Sequence, residues 1–283
     1  MKKILPAIVM AVMMLASCSD SESEKKEMLT DKGVVTLSFM PYEMDAMTRA
    51  ATPISSFCTR LDVWVAEQDG STVQDVHQTS SDAEFGTVTM ELDKTKTYTL
   101  TAVAHKCTAA ATLTNGVIAF PDDRLTHSMV YTTTFSPSAS TSLSCLMTRI
   151  VGTFRLDITD NVPEGTDRIV MSFNGNDRWN AVTSSSEHAA DKVVTVSIPQ
   201  SNIGSPVVVS IFVMPSNLTD TDDVDITVTA YDGDDGVIET KTFADVPIKA
   251  GYRTTYRGTF FTTQNMVMTF TADDWSDFDV VEF

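Results

Sequence analysis

The sequence predicts an all-β fold of two tandem β-sandwiches, and three observations carry that reading. Short runs of β-branched and aromatic residues recur through most of the chain, several with strict period-2 alternation, as in Leu61-Asp62-Val63-Trp64-Val65 and Thr97-Tyr98-Thr99-Leu100-Thr101-Ala102. Turn chemistry separates them: Asp69-Gly70, Asn115-Gly116, Asn174-Gly175 and Asp232-Gly233-Asp234-Asp235-Gly236. Threonine is abundant, which favours strands, and no segment carries a sustained helical stripe.

From the N-terminus, Lys2 and Lys3 precede an apolar stretch over 4–15, shorter than the roughly 20 residues that a membrane-spanning helix needs. It ends in Leu15-Ala16-Ser17-Cys18, which resembles the lipobox of bacterial lipoproteins. The expectation is a signal peptide over 1–17, cleavage before Cys18, and a lipid on that cysteine. Residues 18–32 are polar and mostly charged, too poor in apolar surface to offset the entropy of ordering, and form a leash of up to about 45 Å. The acidic residues directly after Cys18 resemble the surface-export signal of Bacteroidetes lipoproteins; a solubilising spacer has the same composition.

Strands are expected at 34–39, 61–66, 87–92, 98–104, 117–120, 130–135, 143–158, 169–173, 193–198, 207–214, 225–231, 237–243, 254–261 and 266–271. The weakest patterning is the Ser/Pro-rich stretch 136–142, the candidate connection between an N-terminal sandwich over 33–142 and a C-terminal one over 143–283. Residues 264–283 form the tail of the second.

Removal of the first 17 residues, with Lys2 and Lys3, takes the formal net charge from −18 to −20 and leaves 266 residues. That charge argues against nucleic acid and anionic lipid surfaces as partners. Cys58, Cys107 and Cys145 are an odd, widely spaced set, expected as buried free thiols, with a single disulfide between two of them as the alternative in an oxidising compartment. His77, His105, His127 and His188 show no metal-binding spacing, and there is no Gly-x-Ser-x-Gly elbow or phosphate-cradling glycine loop. No metal, cofactor or catalytic residue is therefore expected. The acidic stretch from Asp220 to Asp235 lacks the closing Glu of a calcium loop and reads as a solvated hairpin. Trp64, Trp179 and Trp275 read as core rather than as a sugar-stacking platform.

Several segments, in order, resemble the fimbrillin superfamily of the Bacteroidales, nearest to its anchor and minor-subunit branch. They are the stretch from Ile54 to Val65, Phe85-Gly86-Thr87, the strand ending Ala104-His105, the stretch from Leu146 to Leu156, and Val246-Pro247-Ile248 with Thr255-Tyr256-Arg257-Gly258-Thr259-Phe260-Phe261. The resemblance implies two transthyretin-like sandwiches, a lipoprotein precursor at the outer membrane, and pilus assembly by strand exchange with other fimbrial subunits. It also implies proteolytic loss of the first strand after an arginine. Met47-Thr48-Arg49-Ala50 offers that cut between Arg49 and Ala50. In the strand that would be lost, Val35, Leu37 and Phe39 alternate onto one face. Their burial is worth roughly 5–9 kcal/mol, comparable with the 5–15 kcal/mol that holds a whole domain. A replacement strand is on offer at the other end, where Met266, Met268 and Phe270 alternate. The expected function is thus a fimbrial structural subunit (anchor, shaft or tip) that contributes to adhesion to a host or bacterial receptor. The alternative is a monomeric surface lipoprotein that binds host protein or glycan.

Overall fold

The computed structural model describes residues 31–42, 52–262 and 265–272. All but Asp31 fall in the compact unit Lys32–Phe283. Among them are seventeen strands: β1 (Lys32–Pro41), β2 (Arg60–Glu67), β3 (Thr72–Thr79), β4 (Thr87–Asp93), β5 (Tyr98–His105), β6 (Thr112–Thr114), β7 (Val117–Ala119), β8 (Met129–Phe135), β9 (Ser140–Arg149), β10 (Gly152–Ile158), β11 (Thr166–Asn180), β12 (Ser185–Ser197), β13 (Val207–Val213), β14 (Asp222–Asp232), β15 (Val237–Ile248), β16 (Tyr252–Thr259) and β17 (Asn265–Ala272). The described helices are single 3₁₀ turns, and none is long and apolar enough to cross a membrane. The all-β prediction holds.

The first sheet runs β3-β2-β5-β8-β9-β1-β4. Its β8–β9 joint rests only on Met129 opposite Arg149 and Val130 opposite Thr148. The sheet therefore bends there into two leaves, β4-β1-β9 and β3-β2-β5-β8, which share one core. Val35, Leu37 and Phe39 of β1 meet Val88, Met90 and Leu92 of β4 in that core, with Leu61, Val63 and Val65 of β2 and Leu100 of β5. Alternation sets the inward faces, as expected for half-buried strands. A second core, from Phe154 to Phe260, lies between the sheet β13-β10-β16-β17 and the sheet that contains β15, β14, β11 and β12.

β11 ties the halves together. One of its edges carries β12; the other is shared by β14 and, near Asn180, by β7. The β6–β7 hairpin turns on Asn115-Gly116, both in the left-handed region (φ 52° and 81°), the geometry that Asn-Gly supplies at little cost. Trp179 of β11, opposite Ile118 of β7, is buried in the first core.

Four expectations are corrected. Asn174-Gly175 is not a turn: Gly175 pairs with Ala190 inside the β11–β12 ladder, and the Phe173 ring lies against Gly175. The run 143–158 is two strands in different sheets, with the passage from the first core to the second at 150–152. Residues 136–139 instead link β8 to β9 within the first sheet. β3 was missed, because an edge strand with no buried side chain carries no apolar alternation.

Candidate functional site

β1 occupies an interior slot. It pairs antiparallel with β4 along residues 32–38 and parallel with β9 along residues 34–41. Val35 and Leu37 are completely buried and Phe39 is 3% exposed, whereas Val34 on the opposite face is 44% exposed. The strand thus supplies three side chains to the core and closes the edges of two neighbours at once. Without it, β4 and β9 would each present an unpaired backbone edge. Beyond Tyr42, Arg49 and Ala50 lie outside the described residues, as does Cys18.

β17 is held differently. Among the described residues it is an edge strand that pairs with β16 alone, Thr259 opposite Asn265 and Tyr252 opposite Ala272. Val267 is 66% and Met268 46% exposed. Met266 packs partly on the second core, and Phe270 lies 5.1 Å from the Tyr252 ring. β17 approaches β16 so closely at Gly258 that a Cβ there would sit 1.9 Å from the Asn265 carbonyl oxygen. Met266, Met268 and Phe270 repeat the i, i+2, i+4 spacing of Val35, Leu37 and Phe39, and both series end in phenylalanine. Trp275 and the residues after Ala272 lie outside the described residues.

A cleft of about 480 Å³ lies between the outer edges of β12 and β13, beneath residues 122–126. Consecutive residues of each strand line it, 191–195 and 210–212, so it runs along strand edges rather than over one pleated face. Phe173, Val194 and Ile211 give it apolar surface; Asp122, Asp123, Arg124 and Asp191 give it charge. The ammonium of Lys192, another lining residue, pairs with the buried Asp177, which also accepts a 2.7 Å hydrogen bond from His188.

Sequence reasoning missed a buried charge network on β2. Asp62 is fully buried, because Ala111, Ile118 and Phe120 cover the second face of its sheet. One oxygen accepts from His105 Nε2 at 2.8 Å and from the Ala111 amide at 2.9 Å; the other accepts from His77 Nδ1 at 2.7 Å. Arg60 lies 3.6 Å away. The Cys107 amide donates to His105 Nδ1, which places that ring's proton on Nε2. Burial pushes the Asp62 carboxyl up, but the bonds from His105, Ala111 and His77 outweigh it and hold the group below its ordinary value. His105 is as buried as Asp62, so this group stabilises the fold rather than meeting a substrate. No other chain feature signals it beyond a charged residue inside an apolar strand.

The remaining candidates fall into structural roles. Cys58, Cys107 and Cys145 are buried and form no disulfide among the described residues, and burial raises the Cys145 thiol to about 12. Trp64 and Trp179 are core. Asp232 to Gly236 is the turn between β14 and β15, closed by bonds from the Asp234 and Gly236 amides to the Asp232 carboxylate. Among the described residues no group of three or more His, Cys, Asp or Glu could hold a metal.

No protein-family model matches this chain, and no curated protein does. Solved structures do. A candidate polysaccharide-binding protein of Bacteroides thetaiotaomicron matches with a TM-score of 0.53 at 11% identity, over 86% of this chain and 98% of that one. A candidate adhesin of the same organism matches with a TM-score of 0.51 at 12% identity, over 85% of this chain and 96% of that one. The fimbrial anchor protein Mfa2 of Porphyromonas gingivalis matches more loosely, with a TM-score of 0.45 at 11% identity, over 80% of this chain and 90% of that one. The first two share their fold with this chain.

Proposed function

We propose that this chain is a structural subunit of a surface fimbria, exported as a lipoprotein through Cys18 to the outer membrane and assembled by β-strand exchange. The observation that carries the reading is the contrast between its first and last described strands. β1 fills an interior slot with three fully seated apolar side chains; β17 hangs on one edge with its apolar side chains half out. Cleavage between Arg49 and Ala50 would free β1 together with the lipid. A β17 from a second subunit, with Met266, Met268 and Phe270 at the sites of Val35, Leu37 and Phe39, would preserve the parallel ladder with β9. Unbranched methionines adapt to pockets shaped for valine and leucine. The fold shared with a Bacteroides candidate adhesin and the family resemblance support the same reading.

In this account the two cores are two transthyretin-like domains that meet at 150–152, and the chain contributes adhesion and architecture rather than catalysis. The test is to incubate the precursor with trypsin and follow assembly on SDS gels. A discrete cut at Arg49 followed by SDS-resistant oligomers, lost on deleting residues 265–283, is expected. No cut, or a cut without oligomers, sinks the proposal.

A second reading, a monomeric surface lipoprotein that binds host protein or glycan, draws on the cleft between β12 and β13. Its volume and its mix of apolar floor and charged rim suit a small ligand, and one neighbour of the same fold is described as a candidate polysaccharide-binding protein. Glycan binding by a strictly monomeric preparation, lost in Asp191→Ala, would favour it.

A further inference from the structure

β12 is an edge strand without the usual defences. It runs for 13 residues, where strands usually have about 3–10. Along 191–195 it pairs with β11 alone among the described strands, so its other side presents open backbone. In an antiparallel ladder, alternate residues turn both N–H and C=O to that open side. Natural edges are commonly blunted by charge, proline or a bulge, because open backbone is a template for another strand. Val193-Val194-Thr195-Val196 has no charge and no proline, and its register against β11 runs without a shift. Val193 is 67% exposed.

The cleft follows this edge, with Ser210 and Ile211 of β13 on its far side. Val194, Phe173 and Ile211 pack on the second core and give the cleft its apolar side. A strand laid along β12 would place alternate side chains beside Val194, where they extend that core, and the rest beside Asp191, Val193 and Thr195. The rim is acidic. Asp122, Asp123 and Asp191 outnumber Arg124, since the other lining cation, Lys192, is paired with the buried Asp177. Asp122 and Asp123 belong to the turn over the cleft and both hold left-handed backbone (φ 56° and 50°), a conformation uncommon outside glycine that clusters at ligand sites.

We propose that the open edge of β12 over 191–195 is a docking site for an extended segment of another protein, one that alternates apolar with basic side chains and enters the cleft as an added strand. The inference rests on the cleft of the second reading and names its ligand as a protein segment; it does not depend on fimbrial assembly. Main-chain hydrogen bonds to β12 supply affinity, and the apolar side of the cleft selects every second side chain. The acidic rim selects the basic ones between them. A second copy of this chain fits less well, because a chain of formal net charge −18 meets the same rim with like charge.

The test uses the full mature chain and a pool of heptapeptides that alternate Val, Ile or Phe with Lys, with capture read by mass spectrometry. This pool is expected to bind. Two control pools, one with Glu in place of Lys and one with every backbone amide N-methylated, should be captured at least about tenfold less. Hydrogen exchange should slow at 191–195 in the complex and stay unchanged at 98–105 in β5. Asp191→Lys, an exposed change on the rim, should lower capture of the Lys pool about tenfold and raise that of the Glu pool. Asp122→Lys takes its place if a lowered melting temperature shows that Asp191→Lys misfolds. No capture of the Lys pool, equal capture of either control pool, or unchanged exchange at 191–195 overturns the proposal. A chain that elutes as a dimer with 191–195 protected before any peptide is added places a second copy on the edge and overturns it as well. If the monomer binds a glycan and captures no peptide, the second reading stands and this inference falls.

Discussion

Loss of β1 is the perturbation whose size follows most directly from the structure. Val35, Leu37 and Phe39 are buried to between 0% and 3% exposure, and each such side chain contributes about 1.5–3 kcal/mol. Their combined contribution, roughly 5–9 kcal/mol, approaches the typical stability of a domain. The open backbone edges left on β4 and β9 add to the loss. A chain that begins at Ala50 should therefore melt at least about 10 °C below the full mature chain, or fail to fold its first core. A peptide of residues 32–42 added in trans should restore the melting temperature, and the same peptide with Leu37→Asp should not. Differential scanning calorimetry reads both. In the intact chain, Leu37→Ala should cost about 2–5 kcal/mol in urea unfolding, the usual range for a buried leucine. If the chain from Ala50 melts with the full-length protein, β1 is dispensable and the reasoning fails.

Other consequences can be read off single sites. Deletion of residues 265–283 should cost less than about 2 kcal/mol in urea unfolding, since β17 buries little; a loss as large as that of β1 would contradict its role as a detachable strand. Asp62→Ala should destabilise by about 3–5 kcal/mol, because it strands the His105 and Ala111 donors in a buried site, and a near-neutral urea midpoint would show that the network is not closed as described. His127 is fully buried, and burial, then the charges of Arg149 and Lys106, hold its pKa well below 6.5. The unfolded chain takes up that proton first. The contribution of His127 is thus complete above about pH 6.5 and falls with decreasing pH by up to about 1.4 kcal/mol per unit, until the folded pKa is reached. Stability curves of wild type and His127→Gln should run parallel above about pH 6.5 and converge as the pH falls toward 5; curves that stay parallel down to pH 5 would refute this.

The sequence carried the strands well where one face is buried and the other is not. β1 and β4 lie where alternation put them, and Asn115-Gly116 and Asp232 to Gly236 turn as their chemistry requires. It failed where burial is two-sided or absent. β2 is buried on both faces, so its alternation gave no sign that Asp62 is buried between His77 and His105. β3, exposed along an edge, left no apolar period to find. Asn174-Gly175 satisfied a turn rule locally, yet the long β11–β12 ladder and the Phe173 ring over Gly175 hold it extended.

The central claim, that this chain is built into a surface fimbria, is tested most directly by electron microscopy of material sheared from producing cells and labelled with antibody to residues 50–283. The account predicts gold along, at the base of, or at the tip of filaments, and loss of that labelling when residues 265–283 are deleted. Labelled cell surfaces with no labelled filament would contradict it.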